Sequence, residues 1–244
     1  MNPQFYRSRP KPADVPTGRD YWIKADPDGV VRDLSTPEER AQKNEDAADE
    51  LEELRYRDPV VDIGCGVGTL LWTLRKHRTG GDRSVVQPIG VEPDEWAATE
   101  AMRYTRCLVV NSIEALPAAS FDGALCYHVI EHVAEPEPFV GEIHRILNRG
   151  GKLVISTPNF DSPVAERWGD NFRLLKDPTH ISLFGTAGLI RLLEHVGFRV
   201  DRVWYPFPER LQTKDSALRL LDDPETTISP PAPGNIVSMA AVKV

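Results

Sequence analysis

Short apolar runs and amphipathic stretches alternate along most of this chain. The apolar runs lie at 60–63, 89–92, 107–110, 123–127 and 152–156, and each is preceded or followed by a stretch with helical spacing. Such alternation is typical of parallel strands that are connected through helices. It predicts a doubly wound α/β domain with a mostly parallel sheet.

The stretches between the strands have the spacing of amphipathic helices. We predict helices at about 70–76, 95–104, 139–147 and 186–195. Gly197 follows the last of them in the position of a helix C-cap. Two further strands are expected after this glycine, at 199–205 and 236–244.

Residues 1–34 are predicted to form an N-terminal arm, and 35–244 the domain itself. The first twenty residues contain four prolines and no apolar run, so we expect a loose arm there and neither a signal peptide nor a membrane span. The first helix of the domain should begin at Thr36-Pro37, a capping residue followed by a proline at the first helical position. We expect it to run to about Arg55.

Two segments are too long to be plain connections between elements. The first, at about 158–183, is expected to form a lid, and the second is a connection at about 206–234 that contains a proline-rich run. The connection could hold a short helix at 216–221 or carry the contact of a homodimer. Aromatic residues of the arm and the lid could cover a substrate or only pack the lid: Tyr21, Trp22, Trp168, Phe172 and Phe184.

Composition and charge narrow the classes of function. The chain has 244 residues, of which 41% are hydrophobic and 27% charged, and this suits one large globular domain. No stretch approaches the roughly 18 consecutive apolar residues of a membrane helix, so we expect a cytoplasmic protein. The formal net charge of -8 would repel a polyphosphate backbone, which makes nucleic acid a disfavoured partner.

The strongest local motif is VVDIGCGVGT at 60–69, an apolar strand that leads through alternating glycines into a helix. Glycines allow a sharp turn and a close approach of backbone to a ligand at the carboxyl edge of the sheet. The dinucleotide-binding spacing G-x-G-x-x-G would need a glycine where the chain has Thr69. Asp62 at the strand tip suits a ligand with an ammonium group, such as S-adenosylmethionine, and Glu92 at the next tip can accept both hydrogen bonds of a ribose diol.

With these motifs the chain resembles the class I S-adenosylmethionine-dependent methyltransferases, particularly the small-molecule branch that includes ubiquinone-biosynthesis O-methyltransferases. The matching pieces lie within about 40–205: VVDIGCGVGT, VEP at 91–93, NSIEALP at 111–117, FDGALCYHVIEHV at 121–133, RGGKLVISTPN at 149–159 and THISLFGTAGLIRLLEHVGF at 179–198. The resemblance implies a Rossmann-like sheet of seven strands with an antiparallel last strand. It also implies S-adenosylmethionine as the cofactor.

The resemblance assigns cofactor contacts residue by residue. The acid after the second strand, Glu92, would hold the ribose, and Ser112 stands where the family usually has an Asp for the adenine amino group. The full set of cofactor-binding candidates is Asp62, Gly64, Cys65, Gly66, Glu92, Pro93, Ser112, Ile113 and Tyr127.

A polar cluster follows the fourth strand, where His128, Glu131 and His132 are spaced i, i+3 and i+4. We consider these three residues as catalytic candidates, with His132 as a base that removes the proton of an acceptor hydroxyl. The same three residues, joined by His180 from the lid, could instead bind a divalent metal such as Mg²⁺. The arrangement resembles the E-x-x-E-H cluster and distant His of some methyltransferases, including enzymes that methylate RNA ends. In this chain His128 stands in the position of the first Glu. A role in shaping the pocket is the third alternative.

The function expected from these features is O-methylation of a small molecule such as a sugar, a polyketide or a quinone-like compound. An RNA or protein methyltransferase is one alternative, disfavoured by the acidic balance of the chain. A cofactor-binding subunit without catalysis is another, and a nicotinamide oxidoreductase is more remote.

Overall fold

A computed structural model describes residues 5–25, 31–55, 57–79, 86–207, 221–223 and 225–244. The strands in this part of the chain are β1 (Arg7–Ser8), β2 (Ile23–Ala25), β3 (Val31–Asp33), β4 (Val60–Ile63), β5 (Ile89–Val91), β6 (Val109–Val110), β7 (Phe121–Tyr127), β8 (Leu147–Pro158), β9 (Ser182–Leu183), β10 (Phe198–Trp204) and β11 (Ile236–Lys243). The α-helices are α1 (Pro37–Asp46), α2 (Ala48–Glu53), α3 (Thr69–Thr79), α4 (Glu95–Thr105), α5 (Pro136–Ile146), α6 (Pro163–Trp168) and α7 (Thr186–Val196).

Seven of the strands form one sheet, in the order β10-β11-β8-β7-β4-β5-β6. Strands β8, β7, β4, β5 and β6 are parallel to one another. Strand β11 lies between β8 and β10 and is antiparallel to both. The predicted fold, a mostly parallel sheet with an antiparallel last strand, is confirmed. Its carboxyl edge is where ligands bind in sheets of this kind.

Apolar side chains cover both faces of the sheet. On one face α5 and α7 contribute Ile143, Ile146, Leu189 and Leu192 to the main core. On the other face α2 and α3 supply a second cluster. No helix in the described ranges is long and apolar enough to span a bilayer.

The predicted helix from Thr36 to Arg55 is divided in two. Its start is as expected, because the Thr36 side chain accepts a hydrogen bond from the Glu39 backbone and Pro37 occupies the first turn. The helix breaks at Ala47, where the backbone leaves the helical region with φ of -105° and ψ of 18°. Ala47 and Leu51 are both buried in the second cluster. Packing against the sheet therefore decides this break, which no glycine or proline marks in the sequence.

Two parts of the N-terminal arm, residues 5–9 and 18–24, contact the domain, so the expectation of a loose arm is wrong for them. Strand β1 pairs with β9 of the lid, with Arg7 opposite Leu183. Phe5 is buried in the main core, and its carbonyl oxygen fills the space where Gly188 lacks a side chain. Further along, a 3-10 helix at Gly18–Trp22 leads into the hairpin of β2 and β3.

The lid at about 158–183 has an apolar core of its own. Phe160, Ala165, Phe172 and Leu183 form this cluster. Phe172 and Phe184 are both fully buried, which makes them packing residues and not a cover for a substrate. The described part of the 206–234 connection contacts the lid, where the Ser229 N–H donates to the Asn171 carbonyl. The short helix predicted at 216–221 falls almost entirely outside the described residues.

The packing of the arm predicts a stability effect. Phe5→Ala should lower the free energy of unfolding by about 3 kcal/mol, because it removes a buried aromatic ring from the core. Chemical denaturation at neutral pH measures this change. Ile23→Ala, which truncates an exposed residue of the same arm, is the control and should have little effect. Equal stability of Phe5→Ala and the unaltered protein would contradict the packing of the arm.

Candidate functional site

The loop after β4 brings other parts of the chain unusually close to its backbone. Gly64 and Gly66 adopt left-handed φ angles of 67° and 54°, which residues with a Cβ rarely adopt. A Cβ at Gly64 would overlap Val129, and one at Gly66 would overlap the ring of Trp22. The loop therefore lies between the turn after β7 and the N-terminal arm.

Glu92 follows β5 and connects the loop to the next turn. Its Oε2 accepts a hydrogen bond from the Gly66 N–H and its Oε1 accepts one from the Asp94 N–H, both at 2.9 Å. Burial raises the pKa of Glu92, while these two backbone donors oppose the rise. The carboxylate predicted to hold the ribose thus lies directly beside the glycine loop.

Asp62 lies in β4 and is almost completely buried. Its Oδ2 has no hydrogen-bond partner among the described residues. Burial raises the pKa of Asp62 to about 7, and the nearby Glu92 adds to the rise while Lys43 opposes it. A buried acceptor without a partner is costly, so this atom fits a ligand that brings a donor, such as an amino group.

Lys43 is a site residue that the sequence analysis missed. Burial lowers the pKa of Lys43, and the charges of Asp62, Glu92 and Glu131 oppose that shift. The ammonium group lies 5.9 Å from the ring centre of Tyr127. Lys43 lies in α1, which is rich in charged residues, and no spacing in the sequence distinguishes it from its neighbours.

The remaining cofactor candidates differ in what they present to the site. The Cys65 backbone N–H is bonded to the Val91 carbonyl, and its side chain is buried. Ile113 is buried in the main core, and the Ser112 hydroxyl donates to Glu114. Pro93 is exposed. Tyr127 packs in the second cluster, with its ring edge-on to the imidazole of His128.

A single 3-10 turn, Ile130–His132, follows β7 and contains Glu131 and His132. His128 adopts a left-handed φ of 56°, and its Nδ1 lies 3.1 Å from Oε1 of Glu131. The other oxygen of Glu131 accepts from the Thr157 hydroxyl at 3.0 Å. Burial alone would raise the pKa of Glu131, but the hydrogen bond from His128 and the three neighbouring histidines hold it at about 2. The pair is an imidazole oriented by a buried carboxylate.

His132 and His180 meet on the other side of Glu131. Their ring centres are 5.0 Å apart, and burial lowers the pKa of His180. Nδ1 of His132 lies 3.0 Å from the Thr179 carbonyl, and Nδ1 of His180 lies 2.6 Å from the Leu174 carbonyl. Ligand atoms of Glu131, His132 and His180 lie within 4.8 Å of one another. Of the four metal candidates, these three are thus brought together, whereas His128 contacts Glu131 but is not part of the group.

Two cavities open beside these residues, one on each side of Arg173 and Leu174 in the lid. The smaller one, of about 220 Å³, is lined by Tyr127 and His128 and by residues of the long connection. Its walls are mostly apolar: Leu174, Pro206, Phe207, Pro231, Ala232 and Ile236. The larger one, of about 500 Å³, lies between the arm and the lid and includes His180.

Comparison with known proteins gives a consistent family assignment. Residues 37–203 match a family model described as a methyltransferase domain. The chain is 32% identical over 105 residues to a ubiquinone biosynthesis O-methyltransferase of Psychrobacter cryohalolentis, covering 41% of this chain and 40% of that protein. It is 27% identical over 201 residues to a tRNA U34 carboxymethyltransferase of Haemophilus ducreyi, covering 74% and 61%. The chain therefore spans less than two thirds of the length of either relative.

The fold has close counterparts among solved structures. A SAM-dependent methyltransferase from Archaeoglobus fulgidus superposes with a TM-score of 0.60 over 84% of this chain and 94% of its own. The sequence identity is 21%, so this likeness supports the fold alone.

The buried Glu131 predicts a pH-dependent contribution to stability. Its folded pKa of about 2 lies below the ordinary value of 4.5, so the stabilisation is full above pH 4.5 and is lost as the pH falls toward 2. Glu131→Gln should lower the free energy of unfolding by about 2 kcal/mol at neutral pH. Denaturation curves at several pH values should show this difference shrinking in acid. A difference that is independent of pH would contradict an ionised Glu131.

Proposed function

Because the chain belongs to the class I S-adenosylmethionine-dependent methyltransferases, we propose that it methylates a hydroxyl group of a small-molecule acceptor. The observation that carries this proposal is the contact between His128 and Glu131, at the edge of a small cavity that His128 helps to line. An imidazole held by a carboxylate is a suitable base for an acceptor hydroxyl.

The residues around the glycine loop fit the cofactor. The unpartnered Oδ2 of Asp62 suits its amino group, and the ammonium of Lys43 suits its carboxylate. Glu92 suits the ribose diol, since each carboxylate oxygen can accept a further hydrogen bond. The absence of a side chain at Gly64 and Gly66 lets Val129 and Trp22 approach the backbone of this loop.

His128 and Glu131 supply the proton chemistry. When bound, S-adenosylmethionine supplies a methyl group on a positively charged sulfur, which a hydroxyl oxygen can attack. His128 donates its Nδ1–H to Glu131, which leaves Nε2 to accept the proton of that hydroxyl. The carbon–oxygen bond would form as the bond between the methyl carbon and sulfur breaks, with S-adenosylhomocysteine as the leaving group. Glu131 then stabilises the imidazolium, as its low pKa indicates. Thr157 holds the second carboxylate oxygen in place.

The size and lining of the smaller cavity support a compact acceptor. A cavity of about 150 Å³ can hold a benzene ring, so about 220 Å³ suits a group of one substituted ring. The mostly apolar walls favour a phenol-like group over a free sugar. One relative is a tRNA U34 carboxymethyltransferase, so an RNA acceptor is the alternative. The net charge of -8 disfavours an RNA acceptor.

A metal-assisted reaction is the second candidate, and the hydrogen bonds of two histidines favour it. Metal-bound histidines usually donate their other ring N–H to a carbonyl or carboxylate. His132 and His180 both point Nδ1 at a backbone carbonyl, and each offers a ligand atom within 4.8 Å of one from Glu131. These three residues would hold a divalent ion, which would lower the pKa of an acceptor hydroxyl.

The raised pKa of Asp62 predicts how cofactor affinity depends on pH. Only the ionised carboxylate can pair with an ammonium group, so binding below a pKa of about 7 must first release a proton. The dissociation constant of S-adenosylhomocysteine, measured by calorimetry, should rise roughly tenfold for each pH unit below 7. Asp62→Asn should bind more weakly and lose this dependence. The same pH profile in Asp62→Asn would contradict the assignment.

The role of His128 predicts a selective loss of turnover. His128→Gln should reduce methyl transfer from labelled S-adenosylmethionine to a panel of small phenols by about 100-fold, with unchanged affinity for S-adenosylhomocysteine. The assay is repeated on chelator-treated protein, with and without added Mg²⁺ or Mn²⁺. Activity that requires the metal, survives in His128→Gln and is lost in His180→Ala would replace the base mechanism by the metal-assisted one. Transfer to none of the phenols would overturn this acceptor class.

A further inference from the structure

Trp22 contacts the cofactor loop from a segment outside the matched family domain. Its ring lies on Gly66 so closely that a Cβ at this glycine would overlap it. The arm residues 18–25 lie before residue 37, where the family match begins. This contact is therefore made by a segment outside the residues that match the family domain.

The arm is fixed in position on both sides of this contact. The Gly18 N–H donates to Asp94, two residues after Glu92, at 2.8 Å. The Trp22 carbonyl accepts from the Leu34 N–H at 2.8 Å, and the Lys24 ammonium lies 3.0 Å from the Asp177 carboxylate in the lid. These bonds hold the indole over the loop, so its position does not depend on the ring contact alone.

The indole nitrogen of Trp22 is buried and has no hydrogen-bond partner among the described residues. Trp168 and Trp204 also have unpartnered indole nitrogens, so this feature alone indicates no ligand. Trp22 differs because its ring lies on the loop that begins beside Asp62, whose Oδ2 also lacks a partner. One unpartnered donor and one unpartnered acceptor thus belong to two residues that adjoin the same loop.

The chemistry of these two atoms is complementary to the amino-acid end of S-adenosylmethionine. That end is a zwitterion, with an amino group that donates and a carboxylate that accepts. Asp62 can accept a hydrogen bond from the amino group, while the Trp22 N–H and the Lys43 ammonium can both donate to the carboxylate. A bound zwitterion would satisfy both of the orphaned atoms at once.

We propose that Trp22 is a cofactor-binding residue whose indole N–H donates a hydrogen bond to the carboxylate of S-adenosylmethionine. The arm thereby completes the cofactor site of the domain. The inference rests on cofactor binding at the glycine loop, as argued for the proposed function.

Binding measurements with two ligands test this role without any need for an acceptor. S-adenosylhomocysteine contains the amino-acid end, whereas 5′-methylthioadenosine lacks it and keeps the adenosine and the sulfur. Calorimetry gives the dissociation constant of each ligand for the full chain and for Trp22→Phe, which keeps an aromatic ring but removes the N–H. Trp204→Phe is the matched control, since it removes an unpartnered indole N–H from β10.

Trp22→Phe should weaken S-adenosylhomocysteine by about tenfold, because a hydrogen bond to a charged group is lost. The same variant should leave the affinity for 5′-methylthioadenosine unchanged, and Trp204→Phe should leave both affinities unchanged. Equal weakening of the two ligands would overturn the proposal, because Trp22 would then act through the shape of the loop. Unchanged or tighter binding of S-adenosylhomocysteine would also overturn it, the latter by showing that Trp22 occupies the place of the cofactor.

Loss of cofactor binding at the loop and loss of the Trp22 hydrogen bond would give different results. If the unaltered protein bound neither ligand, cofactor binding at the loop would be wrong, and the role of Trp22 would be wrong with it. If the unaltered protein bound both ligands and Trp22→Phe bound them equally well, the proposed function would stand and only the role of Trp22 would be wrong.

Discussion

The close approach of three segments to the loop after β4 is the constraint on which the site depends. Gly64 allows Val129, from the turn after β7, to reach the loop, and Gly66 allows Trp22 of the arm to do so. Each contact would be impossible with a side chain at the glycine. The same loop donates its Gly66 N–H to Glu92. One stretch of backbone therefore fixes the positions of the residues after β5 and β7 and of the arm.

Glu131 organises the acceptor side in a comparable way. Its carboxylate joins His128 to Thr157 at the end of β8, and its backbone carbonyl accepts from the Ile181 N–H of the lid. A fully buried charge is tolerated only when hydrogen bonds and opposite charges compensate its desolvation. The compensation here comes from residues that face the cavities. The residues that stabilise the charge of Glu131 are therefore the same residues that form the polar part of the site.

The arm lies before the residues that match the family domain, whereas the lid lies within them. The arm pairs with the lid through β1 and β9 and through the ion pair of Lys24 with Asp177. Burial would raise the pKa of Asp177, but Lys24 and His180 act against it and the pKa is lowered. His180 therefore belongs to a network that includes the arm. The larger cavity lies at this junction.

The sequence by itself determined the strands, the glycine loop and the turn with His128 and Glu131, because each of these is encoded within one short segment. Hydrophobic spacing located the seven strands of the sheet, and its bounds agreed with the structure to within a few residues. Only the tertiary structure decided the break at Ala47, the position of the half-buried Lys43, the pairing of His132 with His180 and the position of Trp22. These features join residues that are far apart in the chain, or depend on burial against the sheet. A local pattern carries no information about which distant segment will supply a partner or exclude water.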